Sequence, residues 1–295
     1  EPPASRLASA VKGYLLWTGL AAGALGILMV GFVSRRMLTP IQALGSASRR
    51  LGSGDLSQRV STSGPREISD LANSFNDMAE SLQRAEEQRR VLVADVAHEL
   101  RTPLSNIQGY LEALKDGLLQ PDADTLDTIH QQVVHLARLV EDLRLLAQAD
   151  GGALDLNLEP NSLENVLSRS VEAFRARADA RDVEVSLQVS PGLPLVMLDL
   201  TRIAQVVGNL LENAGQHTPR GGAVRVSVEA APAGMARVTV EDSGEGIPPE
   251  EIPLVFERFY RVDPSRSRAT GGVGLGLTIA KKLVEAHGGA IYAES

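Results

Sequence analysis

The segment Asp95–Leu104, D-V-A-H-E-L-R-T-P-L, decides how the rest of the chain is interpreted. It lies in a run of apolar residues that recur every three or four positions, which is the spacing of one helix face. The members of this face are Val93, Val96, Leu100, Leu104, Ile107, Leu111 and Leu114. His98 is two residues from both Val96 and Leu100, about 200° around a helix, so it is predicted on the opposite, solvent-exposed face.

The groups around His98 suit nucleophilic chemistry. Imidazoles, with an ordinary pKa of about 6.5, are mostly neutral at pH 7, so one ring nitrogen can act as a nucleophile. The adjacent Glu99 can fix the tautomer and take up the proton. Thr102 lies one turn further on the His98 side, and Pro103 is predicted to kink the helix. Taken alone, an exposed histidine on a helix is more often an ordinary surface residue.

The string Ala97–Leu104, A-H-E-L-R-T-P-L, resembles the H-box of the sensor histidine kinases of two-component signalling. The resemblance implies that His98 is the phospho-acceptor and that Glu99 acts as the base. It also implies that Thr102 helps to remove phosphate from the partner, a response regulator.

Composition restricts the alternatives. A chain of 295 residues should hold two or three structural units. The absence of cysteine excludes disulfides, thiolate metal sites and cysteine nucleophiles. The net charge of −8 argues against a direct nucleic-acid partner. Because the sequence begins at Glu1 rather than Met, we expect a fragment or a processed chain, with residues 1–12 as an extracytoplasmic remnant.

Residues 13–34 contain no charged side chain and are predicted to form a transmembrane helix of about 33 Å. The alternatives are a buried helix of a soluble protein and the core of a signal peptide. Arg35 and Arg36 lie on the C-terminal side, which argues against a signal peptide and assigns residues 35–295 to the cytoplasm. The expected location is therefore the bacterial inner (cytoplasmic) membrane.

Residues 35–88 are predicted to form a helix, a connector at Gly52–Asp55 and a second helix. The second helix carries apolar residues at heptad spacing, and two copies are expected to pair into a four-helix bundle. These residues are Ile68, Leu71, Phe75, Met78 and Leu82. The region resembles a HAMP linker domain, from which it departs at Arg66 and at Ser69, where the family usually has an acidic residue and a glycine.

Residues 89–150 are predicted to form a dimerisation and histidine phosphotransfer domain. The His98 helix should end near Gly117, and a second helix should follow the turn at Pro121 and Asp122. Two antiparallel helices cannot bury both apolar stripes alone, so a homodimeric four-helix bundle is expected. His130 and His135 belong to no motif and are interpreted as surface residues.

Residues 153–295 change to a mixed α/β pattern. Helices are predicted from Asn161 or Ser162 to about Ala180 and from Asp199 or Thr201 to Gln216. Alternating valines and leucines predict strands near residues 183–189, 224–228 and 238–240. Helices on one face of an antiparallel or mixed sheet give a two-layer sandwich.

Three stretches in this region suit nucleotide chemistry. Asn209 and Asn213 share a helix face, and their oxygens suit Mg²⁺. Asp242-Ser-Gly-Glu-Gly246 follows a strand, and Asp242 can accept a hydrogen bond from a base amino group. Gly271-Gly-Val-Gly-Leu-Gly276 opens a helix, where backbone N–H groups can bind phosphate. Singly, each is weak, because an asparagine pair is usually structural and the glycine run lacks the Lys-Ser/Thr of a P-loop.

Together, in this order, the stretches resemble the N, G1 and G2 boxes of the ATP-binding fold shared by histidine kinases, gyrase and certain heat-shock chaperones. Residues 255–261, V-F-E-R-F-Y-R, resemble the kinase F-box, with Arg258 or Arg261 as possible phosphate partners. The resemblance implies that Asn213 binds Mg²⁺ and that Asp242 reads adenine. It implies a nucleotide site made of Asn209, Glu212, Asn213, His217, Asp242, Gly244, Gly246, Phe259, Arg261, Gly272, Gly274, Gly276 and Leu277.

Some positions depart from the family pattern. Gln216 stands where the family often has Lys, and Gly215 within a helix costs about 1 kcal/mol relative to Ala. The family continues beyond the position of Ser295 through a further strand, so the C-terminal strand is expected to be truncated.

The sequence thus predicts a multidomain chain, with a transmembrane helix, all-α HAMP and dimeric four-helix-bundle domains, and an α/β two-layer sandwich. It indicates a sensor histidine kinase that uses ATP and Mg²⁺, phosphorylates His98 and transfers the phosphoryl group to a response regulator. The same protein is expected to have phosphatase activity toward that regulator. Two other classes stay open. One is an ATP-driven conformational machine without a kinase step, and the other is a membrane-anchored dimeric scaffold with a degenerate nucleotide site.

Overall fold

The computed structural model describes residues 3–262 and 273–295, with side chains from residue 11 onward except at position 233. The chain divides into two compact units, Glu1–Ala94 and Asp95–Ser295. Helix α3 (Arg66–Lys115) begins in the first unit and ends in the second.

The first unit begins with a long uninterrupted helical segment. Helix α1 (Pro3–Val33), a π-helical turn (Ser34–Leu38) and helix α2 (Thr39–Gly52) follow one another directly. Within the described residues, Val11–Gly52 is the one helix long and apolar enough to cross a membrane. The large apolar side chains between Tyr14 and Phe32 are 60–76% exposed, so no other residue that the structure describes covers them. This exposure argues against the buried helix of a soluble protein.

The segment between α2 and α3, residues 53–65, is bonded to α3. Asn76 on α3 holds the backbone of Val60, because its Oδ1 accepts from the Val60 N–H and its Nδ2 donates to the Val60 carbonyl, both at 3.0 Å. Ser69 Oγ donates to the Thr62 carbonyl at 2.7 Å. The departure from the family glycine at Ser69 therefore supplies a bond to the connector.

Within one chain, α3 buries a different stripe from the predicted heptad. Phe75 is buried as expected, but its buried neighbours are Ala72 and Ala79. Leu71, Met78 and Leu82 are 45–50% exposed. The reason is that α2 and the connector pack against the alanine side, through a core of Ala47, Leu51, Phe75 and Ala79.

In the second unit, α3 and α4 (Ala123–Asp150) flank a short turn. The predicted turn residues are in place: Gly117 has a φ of +70°, and Asp122 caps α4 by accepting from the Thr125 N–H at 2.8 Å. Both helices keep apolar residues 47–60% exposed, namely Val91, Val93, Leu104 and Leu111 on α3 and Leu126, Val133 and Val140 on α4.

A mixed three-stranded sheet forms the centre of the α/β region. Strand β4 (Ala223–Ala231) lies between β2 (Glu184–Val189), to which it is parallel, and β5 (Met235–Asp242), to which it is antiparallel. Short strands β1 (Glu159–Asn161) and β3 (Val196–Leu198) form a separate antiparallel pair. The prediction of an antiparallel or mixed sheet is confirmed in its mixed form.

Helices α5 (Leu163–Asp179) and α6 (Leu200–His217) cover this sheet. The core contains aliphatic residues almost exclusively, as a content of 3% aromatic residues requires. Its largest members with less than 4% exposure are Leu167, Val171, Phe174, Leu198, Val207, Leu211, Val224, Val226 and Val228. Asp199 caps α6 by accepting from the Arg202 N–H at 3.0 Å.

A second core joins α6 and α7 (Gly276–Ala286) to the C-terminal half of α4. Ile279, Ala280 and Leu283 of α7 are completely buried there, together with Leu145 of α4. The α/β region and the His98-bearing hairpin therefore share one core.

Candidate nucleotide and phospho-acceptor sites

His98 lies on the solvent-exposed face of α3, as predicted. Glu99 is half-buried beside it, and the Thr102 hydroxyl donates to the His98 carbonyl at 3.4 Å. Helix α3 continues through Pro103, which is buried. A proline at this position has no N–H to give to the carbonyl of Glu99. The accessible imidazole of His98 thus lies beside the Glu99 carboxylate, on a helical turn that lacks one backbone hydrogen bond.

Asn209 connects the middle of α6 to the start of α7. Its Nδ2 donates to the Gly276 carbonyl at 3.0 Å, which fixes the orientation of the side-chain amide. Asn213 follows one turn later, and both asparagines are half-buried. The Asn209 oxygen remains as a hard ligand for phosphate-bound metal.

The start of α7 offers backbone donors. The residue before it, Leu275, makes no side-chain cap, so its side chain leaves the first-turn N–H groups open to another acceptor. Gly274 has a φ of +75°, and a Cβ atom there would lie 2.9 Å from the backbone of Phe259. Only glycine therefore fits at this position, and the uncapped helix start suits an anion.

The Phe259 backbone is also in the left-handed region, with a φ of +58°. Its N–H donates to the Gly274 carbonyl at 3.1 Å, and the buried Thr278 hydroxyl donates to the Phe256 carbonyl at 2.9 Å. These bonds hold residues 255–261 to the beginning of α7. A non-glycine residue with positive φ stores strain, which the two bonds offset.

Asp242 and Gly244 form a tight turn after β5. The Gly244 N–H donates to Asp242 Oδ1 at 2.9 Å. A Cβ atom at Gly244 would lie 2.6 Å from the same oxygen and 2.7 Å from the His217 carbonyl. The turn therefore requires glycine and brings the end of α6 against the Asp242 loop. Gly246, with a φ of +76°, completes the turn.

Arg258 and Glu212, two predicted site residues, have partners elsewhere in the protein. Arg258 forms an ion pair with Asp150 at the end of α4, and Lys282 lies 3.9 Å from the same carboxylate. Glu212 forms an ion pair with Arg177 of α5. Arg258, which the sequence suggested as a phosphate partner, therefore contacts α4 of the His98 hairpin in this structure.

The other predicted residues have less distinctive surroundings. His217 is exposed, and Arg261 and Leu277 are half-buried. Gly272 lies outside the described residues. Sequence reasoning missed Asp150, Phe174 and Arg177. The one available signal was Gly215, a glycine inside a helix, because a Cβ atom there would overlap the ring of Phe174.

Family models match most of the chain. Residues 32–84 match the HAMP domain, residues 88–152 the His Kinase A (phospho-acceptor) domain, and residues 198–295 the histidine kinase-, DNA gyrase B- and HSP90-like ATPase. The predicted bounds 35–88, 89–150 and 153–295 stay predictions. Helix α5 lies before the segment that matches the ATPase model.

Two curated proteins and a solved structure resemble this chain over most of its length. The signal transduction histidine-protein kinase BaeS of Escherichia coli (strain K12) is 36% identical over 91% of this chain and 57% of its own length. The histidine-protein kinase/phosphatase MprB of Mycobacterium avium (strain 104) is 35% identical over 97% and 55%, respectively. The solved structure of the Acinetobacter baumannii histidine kinase AdeS is 31% identical, with a TM-score of 0.54 over 64% of this chain and 86% of that chain.

The exposed His98, the glycine turns and these matches together define the class of protein. The chain belongs to the sensor histidine kinases, with HAMP, His Kinase A and ATPase domains. It spans a little over half the length of the two curated relatives.

Proposed function

We propose that this chain phosphorylates His98 from Mg·ATP and then transfers the phosphoryl group to an aspartate of a response regulator. The observation that carries the proposal is the bond between Asn209 and Gly276, together with the uncapped start of α7. This bond joins the asparagine side chains of α6, which suit Mg²⁺, to the backbone N–H groups at the start of α7, which suit phosphate. Both groups lie in the compact unit that also contains His98.

Each part of the site has a role in nucleotide binding. Asp242, held by the Gly244 N–H, accepts from the adenine amino group. Asn213 and the oxygen of Asn209 hold the Mg²⁺ ion that neutralises charge on the phosphates. The backbone N–H groups at the start of α7 bind phosphate oxygens. The supporting residues of the site are His217, Gly246, Phe259, Arg261, Gly272, Gly274, Gly276 and Leu277.

In the phosphorylation step, a ring nitrogen of neutral His98 attacks the γ-phosphorus of ATP. The N–P bond forms while the bond from the γ-phosphorus to the β–γ bridging oxygen breaks, and ADP leaves with that oxygen. Glu99 takes up the proton from the other ring nitrogen. In the second step, the phosphoryl group passes from His98 to a carboxylate oxygen of the response regulator.

The proposal includes phosphatase activity toward the regulator. Thr102 lies one turn from His98, where its hydroxyl can orient a water molecule toward the phosphoaspartate. The similar protein MprB is a histidine-protein kinase/phosphatase, which supports this part of the proposal.

The proposed assembly is a homodimer anchored in the bacterial inner membrane. The stripes of exposed aliphatic residues on α3 and α4 would be buried in a four-helix bundle with a second copy. The exposed segment between Tyr14 and Phe32 would be covered by lipid, with residues 35–295 in the cytoplasm.

The test is labelling with γ-phosphate-labelled ATP and Mg²⁺, comparing the full chain with His98→Gln. We expect an acid-labile, alkali-stable label that the variant loses. A label that persists in the variant would exclude His98 as the acceptor. Binding of Mg·ATP without any label would favour an ATP-driven conformational machine, and no binding at all would favour a scaffold with a degenerate site.

A further inference from the structure

Three residues from α5 and the turn after it contact a single turn of α6. Phe174 and Arg177 are three residues apart on one face of α5, and Arg181 lies in the turn two residues beyond its end. The turn they contact contains Glu212 and Gly215, and Asn213 lies between these two. We call this set the α5 clamp.

The first contact is steric. Phe174 is 3% exposed, and its ring edge points at Gly215. A Cβ atom at Gly215 would overlap Phe174 Cζ and lie 3.3 Å from each Cε atom. The ring therefore fits against α6 only because position 215 has no side chain, and it sets how closely the two helices approach.

The other contacts are polar. The Arg177 guanidinium lies 5.7 Å above the centroid of the Phe174 ring and pairs with the Glu212 carboxylate. Arg181 Nη1 donates to the Gly215 carbonyl at 3.3 Å. One turn of α6 is thus held by a ring and an ion pair from α5 and by a hydrogen bond to its backbone from the turn that follows α5.

The clamp acts on the side of α6 next to the nucleotide face. Measured around the helix from Glu212, Gly215 lies about 60° to one side, and Asn209 and Asn213 lie about 60° and 100° to the other. A rotation of the helix that moves the clamp residues therefore moves Asn213 by the same angle. Since metal ligation depends on the position of the ligand oxygen, a small rotation weakens nucleotide binding.

We propose that Arg177, with Phe174 and Arg181, is a positioning residue that sets the rotation of α6, and that Glu212 acts through Arg177 rather than by contacting the nucleotide. This inference rests on the proposed nucleotide site. It assigns α5 a role in positioning α6. It also changes the role of Glu212 from a nucleotide contact to a contact that holds α6 against α5.

The test compares Arg177→Glu, Glu212→Arg and the double variant R177E/E212R in the full chain, solubilised in detergent. Either single variant places like charges opposite each other and should raise the Kd for Mg·ATP by about three- to fivefold, the scale of an exposed ion pair. The double variant restores opposite charges and should return the Kd to within about twofold of wild type.

A matched control separates positioning from general effects. Arg175 pairs with Glu172 on the same helix at 3.2 Å, with side chains 52% and 72% exposed, against 56% and 44% for Arg177 and Glu212. Arg175→Glu removes a similar ion pair that does not involve α6, so the Kd for Mg·ATP should remain at the wild-type value. For Arg177→Glu, the KM for ATP should rise while kcat at saturating Mg·ATP and the apparent Tm match those of Arg175→Glu.

Two results would overturn the inference. If Arg177→Glu and Arg175→Glu bind Mg·ATP equally well, the clamp does not position α6. If the double variant binds as weakly as Glu212→Arg alone, Glu212 acts on the nucleotide directly. A wild-type chain that binds Mg·ATP without phosphorylating His98 would contradict the proposed function but leave this comparison of affinities valid.

Discussion

The helix that carries His98 and the helix that carries Asn209 and Asn213 present their polar residues in opposite ways. On α3, His98 is exposed, and its neighbours Glu99 and Thr102 come from the same helical turn. On α6, both asparagines are half-buried, and the surrounding contacts come from α5 and α7.

This difference teaches which kind of site a local motif can specify. The His98 site needs one helix with the correct spacing, so its geometry follows from about 100° of rotation per residue. The α6 site depends on the packing of three helices, α5, α6 and α7. Asn209 is fixed by Gly276 of α7, and the adjacent turn is fixed by Phe174 of α5. We therefore expect variants at His98 to change phosphorylation alone, and variants at the α6 site to change the binding of Mg·ATP as well.

The largest expected effect distinguishes the two sites directly. Asn213→Ala should abolish labelling and weaken Mg·ATP binding by about tenfold or more, because it removes the proposed metal ligand. His98→Gln should abolish labelling and leave the Kd for Mg·ATP unchanged. Titration calorimetry beside the labelling assay measures both quantities. Unchanged binding in Asn213→Ala would remove that residue from the site.

The packing of α6 should respond strongly to one methyl group. Gly215→Ala should destabilise the protein by about 1–3 kcal/mol, since the overlap with Phe174 outweighs the better helix propensity of alanine. Thermal unfolding followed by circular dichroism measures the change.

Gly208, on the same helix, is the control for Gly215. A Cβ atom there meets nothing within 4 Å, so Gly208→Ala should stabilise the protein by up to about 1 kcal/mol. The double variant F174L/G215A should recover part of the loss. Equal stabilisation by both alanine substitutions would show that the Phe174 ring moves aside freely.

The contact between α4 and α7 should have a moderate effect. Asp150 is partly buried between Arg258 and Lys282, so Asp150→Asn should destabilise the second unit by about 1 kcal/mol. Hydrogen exchange should then be faster in the last turn of α4 and in α7.

The control for Asp150 is Glu141→Gln, which breaks the pair with Arg144 inside α4. That ion pair has side chains 50% and 56% exposed and both of its residues lie in α4, so its loss should leave exchange in α7 unchanged. A similar response to both variants would mean that Asp150 does not link the two helices.

The smallest expected effect concerns pH. Burial raises the pKa of Asp142 to about 6, against a smaller lowering by Arg138. A raised native pKa means that the stability contributed by the protonated carboxyl is complete below the ordinary value of 3.8 and is lost as pH rises through about 6. Asp142→Asn should therefore raise the apparent Tm at pH 7.5 by about 2 °C and have little effect at pH 4. The same Tm difference at both pH values would exclude this carboxyl as the cause.

Much of the fold could be predicted because its signals are local. The cap at Asp122, the turn at Gly117 and the alternation of Val224, Val226 and Val228 gave the correct elements. The heptad on α3 did not predict which of its residues are buried within one chain. The helix has two apolar sides, and the sequence does not show which of them packs against α2. Ala72 and Ala79 are buried there, whereas Leu71 and Met78 are exposed.

By itself, the sequence determined the exposed His98 beside Glu99, the apolar span after residue 12, the order of the domains and the glycines that the turns at Gly244 and Gly274 require. These features depend on helical periodicity and on backbone sterics, which act between near neighbours in the chain. Only the tertiary structure decided that Glu212 faces Arg177, that Arg258 faces Asp150, and that Gly215 leaves room for Phe174. These pairs are separated by 35 or more residues, and which side chains meet across that distance depends on how the helices pack.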